Sequence, residues 1–221
     1  MTTALRFAGL FLLVSVAPRA QAQIDYLPGA RHAVSVGAFS QGGEASATGF
    51  EIEGLVSSRF ALSLGVETSS TVSERVWEGE FGETGPAIRA FSMGARALVG
   101  RQGVNSPATV SLGLDAGLAT YDGREAYTRP LIGVTVQTLR VLPPDNSFFV
   151  VPSGRFRLAT IFDRRVAATT VSFAGGLGFG FRLAPDVLVA LTPELMIAHG
   201  PNDSFILFSA AFGLTLGSSR P

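Results

Sequence analysis

The cleanest alternation in the chain runs from Ala168 to Leu216. In residues 168–183 the odd positions carry Val171, Phe173, Leu177, Phe179, Phe181 and Leu183, while the even positions carry Thr170, Ser172, Ala174, Gly176, Gly178, Gly180 and Arg182. After Ala184-Pro185-Asp186 the pattern resumes, with Val187, Val189, Leu191, Pro193, Leu195 and Ile197 on one face. Ala190, Thr192, Glu194 and Ala198 stand opposite, with Leu188 and Met196 as apolar exceptions. A second break, Gly200-Pro201-Asn202-Asp203, leads into Ile206, Phe208, Ala210, Phe212, Leu214 and Leu216. Period two means β-strands, because successive side chains point to opposite faces. One face is large and apolar; the other is small and polar with an occasional charge. A soluble sandwich would put its charges on the open solvent face. Here they stand among the smallest residues. That inversion predicts a transmembrane barrel, apolar toward lipid and filled with small residues and ion pairs.

The same pattern recurs upstream. Strands are predicted over residues 32–40, 48–56, 60–67, 87–99, 108–118, 131–141 and 147–161, which with the three segments above makes ten. Segments of roughly 9–13 residues match the length a tilted strand needs to cross the hydrocarbon. The expected fold class is therefore all-β, a single up-and-down antiparallel transmembrane β-barrel of about ten strands. Eight is the alternative if residues 131–141 and the start of the next segment do not span. With both ends inside, the inner turns are residues 57–59, 100–107, 142–146 and 184–186. The outer loops are 41–46, 68–86, 119–129, 162–167 and 199–203, so the two longest connections fall outside, as in bacterial barrels. Pro152 and Pro193 lie within predicted strands. A closed barrel has no edge to hold a proline, so each is expected at a bulge.

Composition narrows the class. Apolar residues make up 47% and charged residues only 15%, yet no run of 18 apolar residues follows the N-terminus. Membrane-level hydrophobicity without membrane-length runs excludes a helical bundle and leaves the closed barrel. The absence of Cys removes disulfides, thiolate metal sites and Cys nucleophiles. A net charge of zero with no basic stripe argues against nucleic acid as a partner. Residues 1–22 read as a signal peptide, with Arg6, an apolar centre over 7–17 and the small-x-small site Ala20-Gln21-Ala22. The barrel domain is then expected to occupy residues 23–221.

The signal peptide, the period-two segments and the run Gly-Leu-Gly-Phe-Gly-Phe-Arg-Leu-Ala-Pro-Asp at 176–186 resemble the small outer-membrane β-barrel proteins of Gram-negative bacteria, the OmpA/OmpX type. The resemblance implies a porin-like barrel in the bacterial outer membrane. It also implies outer-membrane lipids, lipopolysaccharide and the barrel-assembly machinery as partners. No peptidoglycan-binding domain follows the strands, so a wall-tethering role is not implied. Such chains usually end on an aromatic residue, whereas this one ends Gly-Ser-Ser-Arg-Pro; Phe212 and Leu216 are the residues that could serve the assembly machinery instead.

Candidate chemistry is sparse. His199 sits at an outer strand end near Asp203 and Ser204, but the deacylase pattern needs a Ser two residues after the His, where Pro201 stands. His32, the other histidine, opens the first strand at the opposite rim. No paired acids with a His can be assembled for a protease. The acidic stretch Glu74, Glu78, Glu80 and Glu83 lacks the spacing of a calcium loop. Gly176, Gly178 and Gly180 alternate along a strand with no helix after them, which excludes a phosphate loop. No catalytic, cofactor or metal site is therefore expected. The inward charges say more: Glu51, Glu53, Glu67, Asp115 and Glu194 against Arg96, Arg155 and Arg157. Unpaired charge in a narrow barrel is costly, so these are expected to pair as an interior plug, with Arg155 or Arg157 reaching Glu194 or Glu67. The functional expectation is a non-catalytic structural or surface-interaction barrel. A narrow pore for ions or small solutes and a lipid-modifying enzyme using His199 are the alternatives. The sequence names no surface ligand.

Overall fold

The computed structural model describes residues 23–27, 30–43, 45–71, 87–103, 105–122, 127–143, 146–162, 167–200 and 204–218. The expected signal peptide and most of the long acidic loop lie outside these described residues. Ten strands follow a short 3-10 turn at Gln23–Tyr26: β1 (His32–Gly43), β2 (Ala45–Ser57), β3 (Phe60–Thr71), β4 (Ala87–Gly100), β5 (Thr109–Asp122), β6 (Tyr127–Leu139), β7 (Phe148–Phe162), β8 (Ala167–Ala184), β9 (Val187–His199) and β10 (Ser204–Ser218). Every pairing is antiparallel and between chain neighbours, and β1 closes on β10 from His32↔Ser218 to Gly43↔Leu207. Ten strands close the barrel, not eight. Residues 131–141 and 147–161, the doubtful pair, belong to β6 and β7 and pair in register from Leu131↔Ile161 to Leu139↔Ser153. The end at which β1 begins and β10 finishes is called the inner end below.

The alternation in the sequence becomes the two faces of the wall. Outward positions remain exposed although apolar, for example Leu64, Leu114, Phe173, Ile197 and Phe212. On β10 the outward apolar run extends from Ile206 to Leu216. Ten residues at ~3.3 Å each, tilted by roughly 40°, give a belt about 25 Å tall. That is the height of the apolar band on an outer-membrane barrel. Aromatics pair directly across strands on this face, Phe148 with Phe181 and Phe156 with Phe173, each with ring centroids 5.0 Å apart.

Three expectations need correction. The strands run further outward than the pattern suggested, because polar residues beyond the apolar belt keep alternating. The expected loop at 41–46 shrinks to Glu44 alone, with Gln41 buried in the interior and Gly43 turning the chain at φ 127°. A side chain at Gly43 would also meet the Ile206 carbonyl at 2.8 Å. Likewise β5 and β6 continue to Tyr121↔Tyr127, leaving only residues 123–126 of the loop expected at 119–129. The second-longest connections therefore lie at the inner end, at residues 101–108 and 140–147, and not outside.

The prolines do not mark bulges. The β6–β7 ladder skips two pairs at Pro152, then returns at Leu142↔Val150 in the same register, and the Pro152 carbonyl still accepts from the Arg140 amide at 3.1 Å. At Pro193 the β8–β9 ladder passes from Gly176↔Glu194 to Phe179↔Leu191 with its register unchanged. A missing donor interrupts a ladder only locally, and the neighbouring steps hold the strand in place. The actual irregularities are at Leu55/Ser57, Leu98/Gly100 and Arg182/Ala184, all at the inner rim where strands enter turns.

Candidate functional site: the barrel lumen

The inward side chains form three layers. Nearest the inner end lies an apolar layer that includes Leu98, Leu139, Phe149 and Leu188, joined by Tyr26 and Leu27 from the segment preceding β1. This segment enters the barrel. The Tyr26 hydroxyl shares a 3.0 Å hydrogen bond with Thr192, and its ring meets Phe149 edge-on at 6.4 Å. Arg182 stands over the Phe149 ring, 5.7 Å from its centroid. Burial pushes the Tyr26 phenol up to about 12, against the opposing pull of the Thr192 hydrogen bond. At the outer end a second, largely apolar layer contains Ile88, Ile161, Met196 and Leu207, each almost wholly buried, with Phe39 packed among Ala47 and Ala211 and the buried polar Gln41 and Ser69 beside them.

The charges lie between these layers. Arg96 on β4 donates from Nε and Nη2 to Oε1 of Glu53 at 2.8 and 2.6 Å, and from Nη1 to Asp25 in the entering segment. Arg155 on β7 donates to Glu194 on β9 at 2.8 Å, across the intervening β8. Arg157, two residues on and so on the same face, donates to Asp115 on β5 at 3.0 Å. Glu51 is buried two residues from Glu53 on the same face of β2, and Glu67 faces inward on β3 nearer the outer end. Six of the eight residues that the sequence marks as lumen charges thus form three pairs: Arg96–Glu53, Arg155–Glu194 and Arg157–Asp115. A residual cavity of about 80 Å³ lies among Glu51, Glu53, Asp115, Arg96, Arg155 and Arg157.

Sequence reasoning missed Asp25 and Tyr26. Both precede the first alternating segment, where no periodicity tells whether a side chain faces in or out. Part of the apolar lining was legible in Leu188 and Met196, the two exceptions to the alternation of β9; both are buried in the interior. The glycines of β8 also find their reason here. A Cβ on Gly176 would lie 2.8 Å from the Glu194 side chain, one on Gly178 would lie 2.8 Å from the Tyr26 hydroxyl, and one on Gly180 would lie 2.2 Å from the Phe149 ring. Each glycine is a socket for a large group.

The two histidines lie outside this interior. His32 is exposed at the inner rim opposite Ser218. His199 is exposed at the outer end of β9, and its Nδ1 is 2.8 Å from the Ser204 hydroxyl on β10. Asp203 lies outside the described residues. Among the described residues no group of three or more His, Asp or Glu side chains is placed to hold a metal ion.

No protein-family model matches the sequence, and no curated protein matches it. Among solved structures it is similar to the β domain of the Bordetella autotransporter BrkA, with a TM-score of 0.52 at 14% identity, over 86% of this chain and 100% of that one. The chain has the fold of an outer-membrane β-barrel. The N-terminal β-barrel domain of Pseudomonas aeruginosa OprF also matches, with a TM-score of 0.38 at 10% identity over 85% of this chain and 99% of that one. So does the translocator domain of the autotransporter NalP from Neisseria meningitidis, at 0.38 and 9% over 97% and 96%.

Proposed function

We propose that this chain is a barrel of the bacterial outer membrane with a structural or surface-interaction role, non-catalytic, and with a sealed lumen. The observation that carries this reading is the layering of the interior. A polar path would have to cross two largely apolar layers, the entering 23–27 segment and three arginine pairs, among which lies a cavity of about 80 Å³. The outward belt supports the membrane assignment. It is apolar over about 25 Å, the hydrocarbon height of an outer-membrane barrel. Residues 1–22 are taken as the export signal, and outer-membrane lipids and lipopolysaccharide as the surroundings. Phe212 and Leu216, both exposed on β10, are the outward apolar residues offered to the barrel-assembly machinery.

The non-catalytic reading rests on His199. Among the described residues its only recorded polar contact is the Ser204 hydroxyl, and a nucleophile–base pair needs a third group to hold the base. The test joins location to conduction. The protein is expected in the outer-membrane fraction, to run faster on a gel unheated than heated, and to give no steady conductance in a planar bilayer. A stable, uniform single-channel step from the unmodified protein would overturn the seal and favour a pore.

A further inference from the structure

The register places a second feature on the outside of the wall, near the outer end. Thr48, Thr68, Arg89 and Thr120 are cross-strand neighbours along β2, β3, β4 and β5, forming one outward row. The next outward row toward the inner end is Phe50, Val66, Phe91 and Leu118, again in direct register. Between the rows lies a groove of about 630 Å³ floored by the backbone of Gly49, Glu67 and Ala90. It crosses four strands, hence three spacings, or roughly 14 Å. One lip is hydroxyl and guanidinium, the other hydrocarbon.

The polar lip belongs to a collar. Toward the outer ends of their strands it also includes Thr128, Thr160, Thr169, His199 and Ser204, with Thr120–Thr128 and Thr160–Thr169 hydroxyls in contact at 3.1 and 3.0 Å. On β2 to β5, among the described residues, no large apolar side chain is exposed beyond the Thr48–Thr120 row, so on this side of the wall the row borders the apolar belt, whereas on β7 Phe162 is still exposed beyond Thr160. Arg89 is the only arginine in the collar among the described residues, and it stands over the groove, exposed.

We infer that this groove seats the phosphorylated headgroup of a multi-acyl glycolipid, the lipid A part of lipopolysaccharide. Arg89 would engage a phosphate through its planar fork. The threonine hydroxyls would donate to ester or amide carbonyls at the chain roots, and the row from Phe50 to Leu118 would carry the chains. Hydrocarbon chains packed at contact distances of about 4–4.5 Å fill a 14 Å groove three abreast, which suits a many-chained lipid better than a two-chained phospholipid. The inference rests on the outer-membrane reading above, since only there does the end opposite the inner end meet lipopolysaccharide.

The test uses the full folded barrel in phosphatidylcholine nanodiscs doped with lipid A, with retained lipid counted by native mass spectrometry. Wild type is expected to hold lipid A, and Arg89→Ala or Arg89→Gln to hold it about tenfold less tightly, as loss of a charge-assisted fork implies. Arg59→Ala, an exposed arginine at the inner end, should behave as wild type. Heat-modifiable mobility of each variant shows that its barrel is intact. Equal retention by wild type and the Arg89 variants would overturn the seat. So would an equal loss in Arg59→Ala, or phosphatidylglycerol being held as tightly as lipid A. A wild-type chain that neither enters the discs nor shows heat-modifiable mobility would overturn the outer-membrane reading itself, and the seat with it.

Discussion

All 17 basic residues of this chain are arginine, and the interior shows what that residue type allows. A guanidinium has donors in fixed directions, so Arg96 can satisfy Glu53 and Asp25 at once where an ammonium would act as a point charge. The complement of a long side chain in a narrow barrel is a missing one. Gly178 faces Tyr26, and any Cβ there would press on the phenol hydroxyl at 2.8 Å and on Thr192 at 3.3 Å. Gly178→Ala is therefore expected to push Tyr26 out of its seat, at a cost of about 1–3 kcal/mol for overpacking. Absorbance near the tyrosinate band reads this directly, because the chain has three tyrosines. In wild type Tyr26 should ionise near pH 12, since burial raises it from 10.0. A raised acid contributes docking stability that is complete below the unfolded value and is lost as pH rises through the folded one. In Gly178→Ala the late-titrating tyrosine should disappear into the ordinary range. Its persistence near pH 12 would show that the socket is not needed.

At the scale of the strand, the wall tolerates a missing hydrogen bond but not a change of face. Pro152 and Pro193 each interrupt a ladder without moving its register. A one-residue slip would instead turn every outward side chain inward. The same rule made the fold readable. Wherever large and small residues alternate, from Val34 on β1 to Leu216 on β10, the outward set could be assigned from sequence, and most of those residues are exposed, with Val36, Phe156 and Phe179 among the half-buried ones. The rest was not legible, for physical reasons. Outside the belt both faces are polar, so Gln41 and Tyr127 gave no hint that β1 and β6 continue. Before the first strand nothing alternates, so Asp25 and Tyr26 were invisible as interior residues. Pairing across the lumen depends on strand order and stagger, so the partner of Arg155 could be narrowed to two carboxylates and no further; Glu194 is the one it meets. Leu191 tests the face assignment. It is exposed in the middle of β9, and Leu191→Arg is expected to cost roughly 2–4 kcal/mol near the bilayer midplane. The same variant in detergent with a polar environment at that height should lose less. Refolding titrations into thin and thick bilayers measure the cost, and equal stability of variant and wild type in both would argue for an aqueous exterior.

For the whole molecule, the question is what the charged layer contributes to the proposed seal. Around the small cavity stand the carboxylates Glu51, Glu53 and Asp115 with Arg96, Arg155 and Arg157, while Asp25 and Glu194 complete the pairs. Five acids thus face three guanidinium groups. If the layer acts by packing alone, replacing the Arg155–Glu194 pair with apolar groups of similar length should be harmless, since swapping a buried pair for hydrocarbon is often neutral or better. Breaking it should not be harmless. Arg155→Ala leaves Glu194 buried with its guanidinium partner gone, and a broken buried pair costs about 3–5 kcal/mol. Arg155→Ala with Arg157→Ala removes the Arg157 guanidinium from Asp115 as well and leaves Arg96 as the one arginine of the three pairs. That variant is expected to unfold at markedly lower urea. Any openings it shows in a planar bilayer should be brief and should favour cations, because the remaining interior is acidic and the two apolar layers are still in place. Arg155→Met with Glu194→Met should stay near wild-type stability and remain closed. If the double methionine variant were as unstable as the double alanine one, the ions themselves would be holding the barrel together. If it were stable but conducted steadily, the seal would be electrostatic and the apolar layers insufficient.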